Sequence, residues 1–159
     1  MRTALAVAVA ALLAVVVTAA LFTKRARSMR NRIQPINVGA PGNVLSPCPG
    51  TPNCVASQDA KGSQLMPPIP FKGRVEDAQA RLREAIASMA RGKVTVDRPG
   101  YVAVEFRSRL LGFVDDAEFV LDGKKGEIRF RSAARVGHSD LGMNRRRMNA
   151  IRKLFERGE

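Results

Sequence analysis

The apolar period of this chain changes twice between residues 74 and 157, and each change narrows the folds open to it. From Arg74 to Arg91, the side chains of Val75, Ala78, Leu82, Ala85, Ile86 and Met89 recur at helical spacing and form one stripe. Gly92 is a natural stop. The period then becomes two. Val94–Asp97 predicts a short strand, Arg98-Pro99-Gly100 a turn, and Tyr101–Arg109 a strand with Val102, Val104 and Phe106 on one face. Phe113–Asp122 predicts a third strand and DGKKG a turn. Glu127–Val136 predicts a fourth, with Ile128, Phe130 and Ala134 inward. Helical spacing returns over Leu141–Arg157. The order α-β-β-β-β-α with short turns implies an α+β domain of two layers: a four-stranded antiparallel sheet with flanking N- and C-terminal helices on one face.

The chain has 159 residues, enough for this domain and an appendage. Residues 3–23 read TALAVAVAALLAVVVTAALFT, without a charge or a helix breaker. About 20 apolar residues at about 1.5 Å each span a bilayer core, so residues 1–23 are expected to be one transmembrane helix. The competing reading is a cleaved secretory signal, with Val17-Thr18-Ala19 as a poor cleavage motif and an apolar run longer than the usual signal core. Lys24, Arg25, Arg27, Arg30 and Arg32 follow the run and only Arg2 precedes it. This bias favours the cytoplasmic side of a single-pass membrane protein, in the inner membrane if the source is bacterial. The run Lys24–Arg32 is expected to lie against anionic lipid, at about 1 kcal/mol per charge.

Residues 24–47 read as a basic, proline-rich linker ahead of a domain over 48–159, with its core over 72–157. Eight of the nine prolines fall between Pro35 and Pro70, a segment that cannot hold a long helix or a central strand. Cys48 and Cys54, in PCPGTPNC, are near enough for a short disulfide, which needs an oxidising compartment; two reduced cysteines in a turn are the alternative. Two cysteines cannot make a tetrahedral zinc site, and no cofactor is expected.

The formal charge of +13 is unevenly placed. Six of the 27 bases precede Ile33 and all 14 acids follow it, so the remainder carries 27 − 6 = 21 bases against 14 acids, or +7. A basic surface favours anionic partners. With no Trp and one Tyr there is no stacking platform, and nucleic acid is not expected.

The densest chemistry lies in RSAARVGHSDLGMNRRR, from Arg131 to Arg147, with five arginines and the chain's one histidine. Either it binds an anion or it is a strand-to-helix corner held by internal ion pairs. One sheet face carries Glu105, Arg107 and Arg109, then Asp116 and Glu118, then Arg129, Arg131 and Arg135. Such charges can pair across a solvated face, each pair contributing little. Ser139 or Asp140 is placed to cap the last helix. Asn144 falls within the apolar stripe of Leu141, Met148, Ile151 and Phe155, which is costly unless its amide is hydrogen-bonded.

The expectation is a membrane-anchored binding or scaffolding domain for an anionic ligand: a lipid headgroup, a phosphate or an acidic protein surface. Arg107, Arg109, Asp116, Arg131, Arg135, His138, Asp140 and Asn144 are its candidate site. The alternative is a hydrolase-like enzyme using Asp115, Asp116, Arg131 and His138. Against it, His138-Ser139-Asp140 are consecutive and cannot form a triad by themselves. No G-x-S-x-G, H-E-x-x-H or phosphate loop occurs. Asp115 and Asp116 point to opposite faces of a strand.

PCPGTPNCVASQ, AVEFRSRLLGFVDDAEF and IRFRSAARVGHSDLGMNRRR, in that order, resemble the bacterial and plastid family called domain of unknown function 1499. The resemblance runs from Cys48 to Phe155. It implies that PCPGTPNC belongs to the domain, and its motif order suggests that this loop docks near the arginine corner. It implies no activity. A second Ser near Ala134 and an aromatic residue near His138 would be expected and are missing, so no catalytic role for His138 carries over.

Overall fold

The computed structural model describes residues 9–22, 38–39, 41–109 and 112–158. Strands are β1 (Cys54–Ala56), β2 (Ile69–Pro70), β3 (Gly92–Arg98), β4 (Tyr101–Arg107), β5 (Val114–Asp122) and β6 (Glu127–Ala134). Helices are α1 (Val75–Ala87) and α2 (Met143–Arg157), with a further helical stretch over residues 9–22. All pairings in the sheet are antiparallel, in the order β1-β6-β5-β4-β3, and β2 also pairs with β6.

Two expectations are corrected. The sheet has six strands, not four. The extra two come from the proline-rich segment and share the outer edge of β6, where Cys54 opposes Ala133 and Ile69 opposes Ile128. Strands of three and two residues are too short to show a period. Pro70 is accommodated because an edge strand pairs on one side only. The expected transmembrane helix is not found: no helix among the described residues is long and apolar enough to cross a membrane. Among the described residues, the apolar run is helical over residues 9–22. Residues 1–8 and 23–37, with the Lys24–Arg32 run, lie outside the described residues.

The main core forms where α1 and α2 pack on one sheet face. Leu82 and Ile86 of α1 and Met148, Ile151 and Phe155 of α2 meet Val102, Val104, Phe119, Ile128 and Phe130, all buried. Each such side chain contributes roughly 1.5–3 kcal/mol by leaving water. α1 ends at Ala87, before Gly92, and the left-handed turn falls to Arg91 at φ 60°. Gly92 is needed for another reason: a Cβ there would meet the Phe106 ring at 2.8 Å.

The opposite face was expected to be solvated. Instead Val38, Gly39 and the chain over residues 41–47 are strapped across it. Leu45 packs with Tyr101, Ala103 and Val120. Gly39 N donates to the Tyr101 hydroxyl at 2.8 Å, Arg98 Nη1 to Gly39 O at 2.8 Å, and Arg131 Nε to Pro47 O at 3.1 Å. Covering this face puts its charges into a low-dielectric interior, where pairing becomes obligatory.

Candidate functional site

The candidate residues divide among three places, because β4, β5 and β6 send alternate side chains to opposite faces. On the sheet face that the strap crosses, Arg135 Nε donates to Asp116 Oδ2 at 2.7 Å and Nη2 to Asp116 Oδ1 at 2.8 Å, and Nη2 also reaches Glu105. The hydrogen bonds to Asp116 raise the guanidinium pKa further above its ordinary value, against the effect of burial. Glu118 is 0% exposed and accepts from the Tyr101 hydroxyl at 2.8 Å, Ser46 N at 3.3 Å and Arg131 Nη1 at 3.3 Å. Burial, above all, pushes the Tyr101 phenol pKa up. Asp116, Arg131 and Arg135 are therefore committed to the fold, and no open anion site remains among them.

The second place is the entrance to α2. Asp140 accepts from Gly142 N at 2.9 Å and Asn144 N at 2.7 Å, filling the positive end of the helix. Buried Asn144 donates to Asn53 O at 3.2 Å and accepts from Ser132 Oγ and Arg147 Nη1. This ties α2 to β6 and to the loop closed by the Cys48–Cys54 disulfide, whose Cα atoms are 5.8 Å apart. Asn53 Nδ2 donates to Gly137 O, and the loop lies beside the arginine corner. His138 is exposed, and its side chain makes no hydrogen bond among the described residues.

The third place is concave. A groove of about 390 Å³ opens between the C-terminal end of α1, the end of β4 and the start of α2. Met89, Phe106, Met143 and Ala150 form its apolar floor. Arg91, Arg107, Arg109 and Arg146 stand around it. Arg107 Nη2 donates to Glu105 Oε2 at 3.0 Å. Arg91, Arg109 and Arg146 are exposed and form no ion pair among the described residues.

Arg147 makes one wall. Its guanidinium lies 4.6 Å from the Phe106 ring centroid, and Nη2 donates to Asp115 Oδ2 at 2.7 Å. Burial pushes the Asp115 carboxyl above its ordinary value, while Arg147 pulls it back down. A second groove, about 270 Å³, adjoins this one and shares Ser108, Asp115 and Met143; Phe113 and Leu141 line its far side. No cluster of three or more metal-ligating side chains occurs among the described residues.

Of the candidate residues, only Arg107 and Arg109 line the arginine groove. Arg91, Arg146 and Phe106 were not singled out in the sequence. One local signal was available: no acid stands three or four residues from Arg146 along its helix.

Sheet, strap and groove define a two-layer α+β domain in which Arg131 and Arg135 of the strap-covered face are ion-paired, while three of the groove arginines, Arg91, Arg109 and Arg146, form no ion pair among the described residues. The sequence matches the family described as Protein of unknown function (DUF1499) over residues 44–155, and the chain belongs to that family. No curated protein and no solved structure matches it.

Proposed function

We infer that this domain is a binding module, and that its arginine-rimmed groove takes an amphipathic anion. The observation that carries this reading is the separation of charge: among the described residues Arg91, Arg109 and Arg146 have no carboxylate partner, and they surround an apolar floor. Exposed guanidinium groups supply charge-assisted hydrogen bonds to a phosphate or carboxylate. Met89, Met143 and Ala150 offer apolar surface that gains about 25 cal/mol per Å² when a hydrocarbon chain covers it. A headgroup without a chain would use only the first contribution.

Scattering of the expected hydrolytic residues supports binding over catalysis. Asp116 and Arg131 lie on the sheet face that the strap crosses, Asp115 faces the groove on the other side of the sheet, and His138 stands apart in an exposed loop. The disulfide supports an oxidising compartment for the domain, in place of the cytoplasmic side favoured by the Lys24–Arg32 charges.

Calorimetric titration of the full chain with decyl phosphate below its micelle concentration tests this reading. Decyl phosphate is expected to bind, with inorganic phosphate at least about tenfold weaker, and Arg91→Gln/Arg146→Gln is expected to lose roughly tenfold or more, about 1.4 kcal/mol. Equal affinity in wild type and double variant, or no binding of decyl phosphate, would refute it.

A further inference from the structure

We propose that the end of the domain carrying the two grooves is a docking tip for an anionic lipid bilayer, from which the amphiphile is drawn. The proposal deepens the reading above and rests on it for the arginines. The apolar half stands on separate observations.

Antiparallel pairing brings the end of β4, the start of β5 and the end of β6 to one edge, with Arg107 opposite Val114 and Asp115 opposite Ala134. Ser108, Arg109, Gly112 and Phe113, between β4 and β5, lie there, together with the loop joining β6 to α2. The first connection is held by Ser108 N donating to Phe113 O and Phe113 N to Ser108 Oγ, both at 2.8 Å. The second is held by Asp140 and by Leu141 N donating to Ser139 Oγ at 3.2 Å.

Phe113 and Leu141 in these connections, and Met143 at the first position of α2, are exposed at 40%, 83% and 47%. Leu141 sits at φ 53°, a left-handed conformation disfavoured for a residue with a Cβ. Its side chain gains nothing from the core in return. Apolar side chains held out on braced loops around a groove mark an interaction surface.

Charge selects the partner. Arg109 and Arg146 flank the apolar residues and have no acidic partner among the described residues. The carboxylates facing the same surface are Asp115 and Asp140. The first is held by Arg147, and the second is occupied by the first-turn N–H groups of α2. A surface of short apolar anchors with uncompensated arginines fits the headgroup and upper acyl region of an anionic bilayer, where aliphatic side chains leave water and guanidinium groups meet phosphate.

The chain contains no Trp, so a single introduced one reports its own surroundings. Leu141→Trp, in the full chain, is mixed with vesicles of phosphatidylglycerol brominated on its acyl chains. Val44→Trp, exposed on the strap and remote from the tip, is the comparison. The expected result is a blue shift and quenching of the emission for Leu141→Trp and neither for Val44→Trp. Adding Arg109→Gln and Arg146→Gln should cut the quenching by half or more.

Unchanged emission from vesicle-bound Leu141→Trp would overturn the proposal. Equal quenching at both positions, or equal quenching by brominated phosphatidylcholine, would overturn it too. So would a response to polyglutamate and not to vesicles, which would identify an acidic protein surface as the partner. Decyl phosphate titration of the same Leu141→Trp protein separates the two readings. Retained binding there without vesicle quenching removes the docking tip and leaves the groove; loss of decyl phosphate binding in wild type removes the groove itself.

Discussion

Tyr101 donates its hydroxyl hydrogen to Glu118 Oε1 at 2.8 Å, at a point where the carboxylate is wholly shielded from solvent. The same hydroxyl accepts from Gly39 N at 2.8 Å, and the other Glu118 oxygen accepts from Ser46 N. One buried pair of side chains thus holds both ends of the strap. Tyr101→Phe leaves a buried carboxylate oxygen and an amide short of a partner and should cost about 1–3 kcal/mol. Glu118→Ala also strands Arg131 and should cost about 3–5 kcal/mol. Urea denaturation of both variants checks the order; a Glu118→Ala protein as stable as wild type would refute the strap's role.

The disulfide ties the strap to β1, closing a ring with a sequence separation of 6. Such a short ring restricts the unfolded chain by only about 2 kcal/mol, a fall in Tm on the order of 10 °C for a domain of this size. Calorimetry of Cys48→Ser/Cys54→Ser, compared with wild type under reductant, should give the same loss twice. A negligible loss in both would show that the loop is held by Arg131 and Asn53 alone.

Asn144 joins three elements through one buried amide. Asn144→Leu has suitable volume but leaves Ser132 Oγ without its partner, removes one of the two hydrogen bonds to Asn53 O and frees Arg147 from its brace. A loss of about 2–4 kcal/mol is expected, measured by thermal unfolding. A neutral substitution would show that burial of the apolar stripe alone sets α2 in place.

Asp115 supplies a dependence on pH. Its folded pKa is raised above the ordinary 3.8, chiefly by burial, so the folded state binds the proton more tightly than the unfolded chain. This group's contribution therefore falls as pH rises from about 3.8 through the raised value, and recovers on acidification. Asp115→Asn has no carboxyl to titrate and lacks this dependence. Wild type should gain stability relative to Asp115→Asn as pH is lowered from 7 toward 4. A gain in the opposite direction would mean that pairing with Arg147 outweighs burial.

Four strands and both packed helices were legible because each repeats its apolar period over enough residues to be seen. β1 and β2 were not, since Cys54–Ala56 and Ile69–Pro70 are shorter than any usable period. The strap was hidden for a related reason: proline-rich chain has no period, and mixed charge on β4, β5 and β6 read as a face open to water. Burial of Glu118 and Asp116 depends on what lies over them, which no local pattern records. Asp140 and Asn144 were legible because capping and a polar residue in an apolar stripe are local signals. The groove was not, because Arg91, Phe106 and Arg146 come from three elements and meet only after folding.

The division between structural and ligand-facing arginines is tested most directly by thermal midpoints of Arg135→Gln and Arg146→Gln, each with and without decyl phosphate. Arg135→Gln should lower Tm sharply by breaking pairs whose guanidinium is only 5% exposed, yet keep the ligand-induced rise. Arg146→Gln should keep the wild-type Tm and lose most of that rise. The opposite pattern, with Arg146 supporting the fold and Arg135 the ligand, would contradict the assignment of the groove.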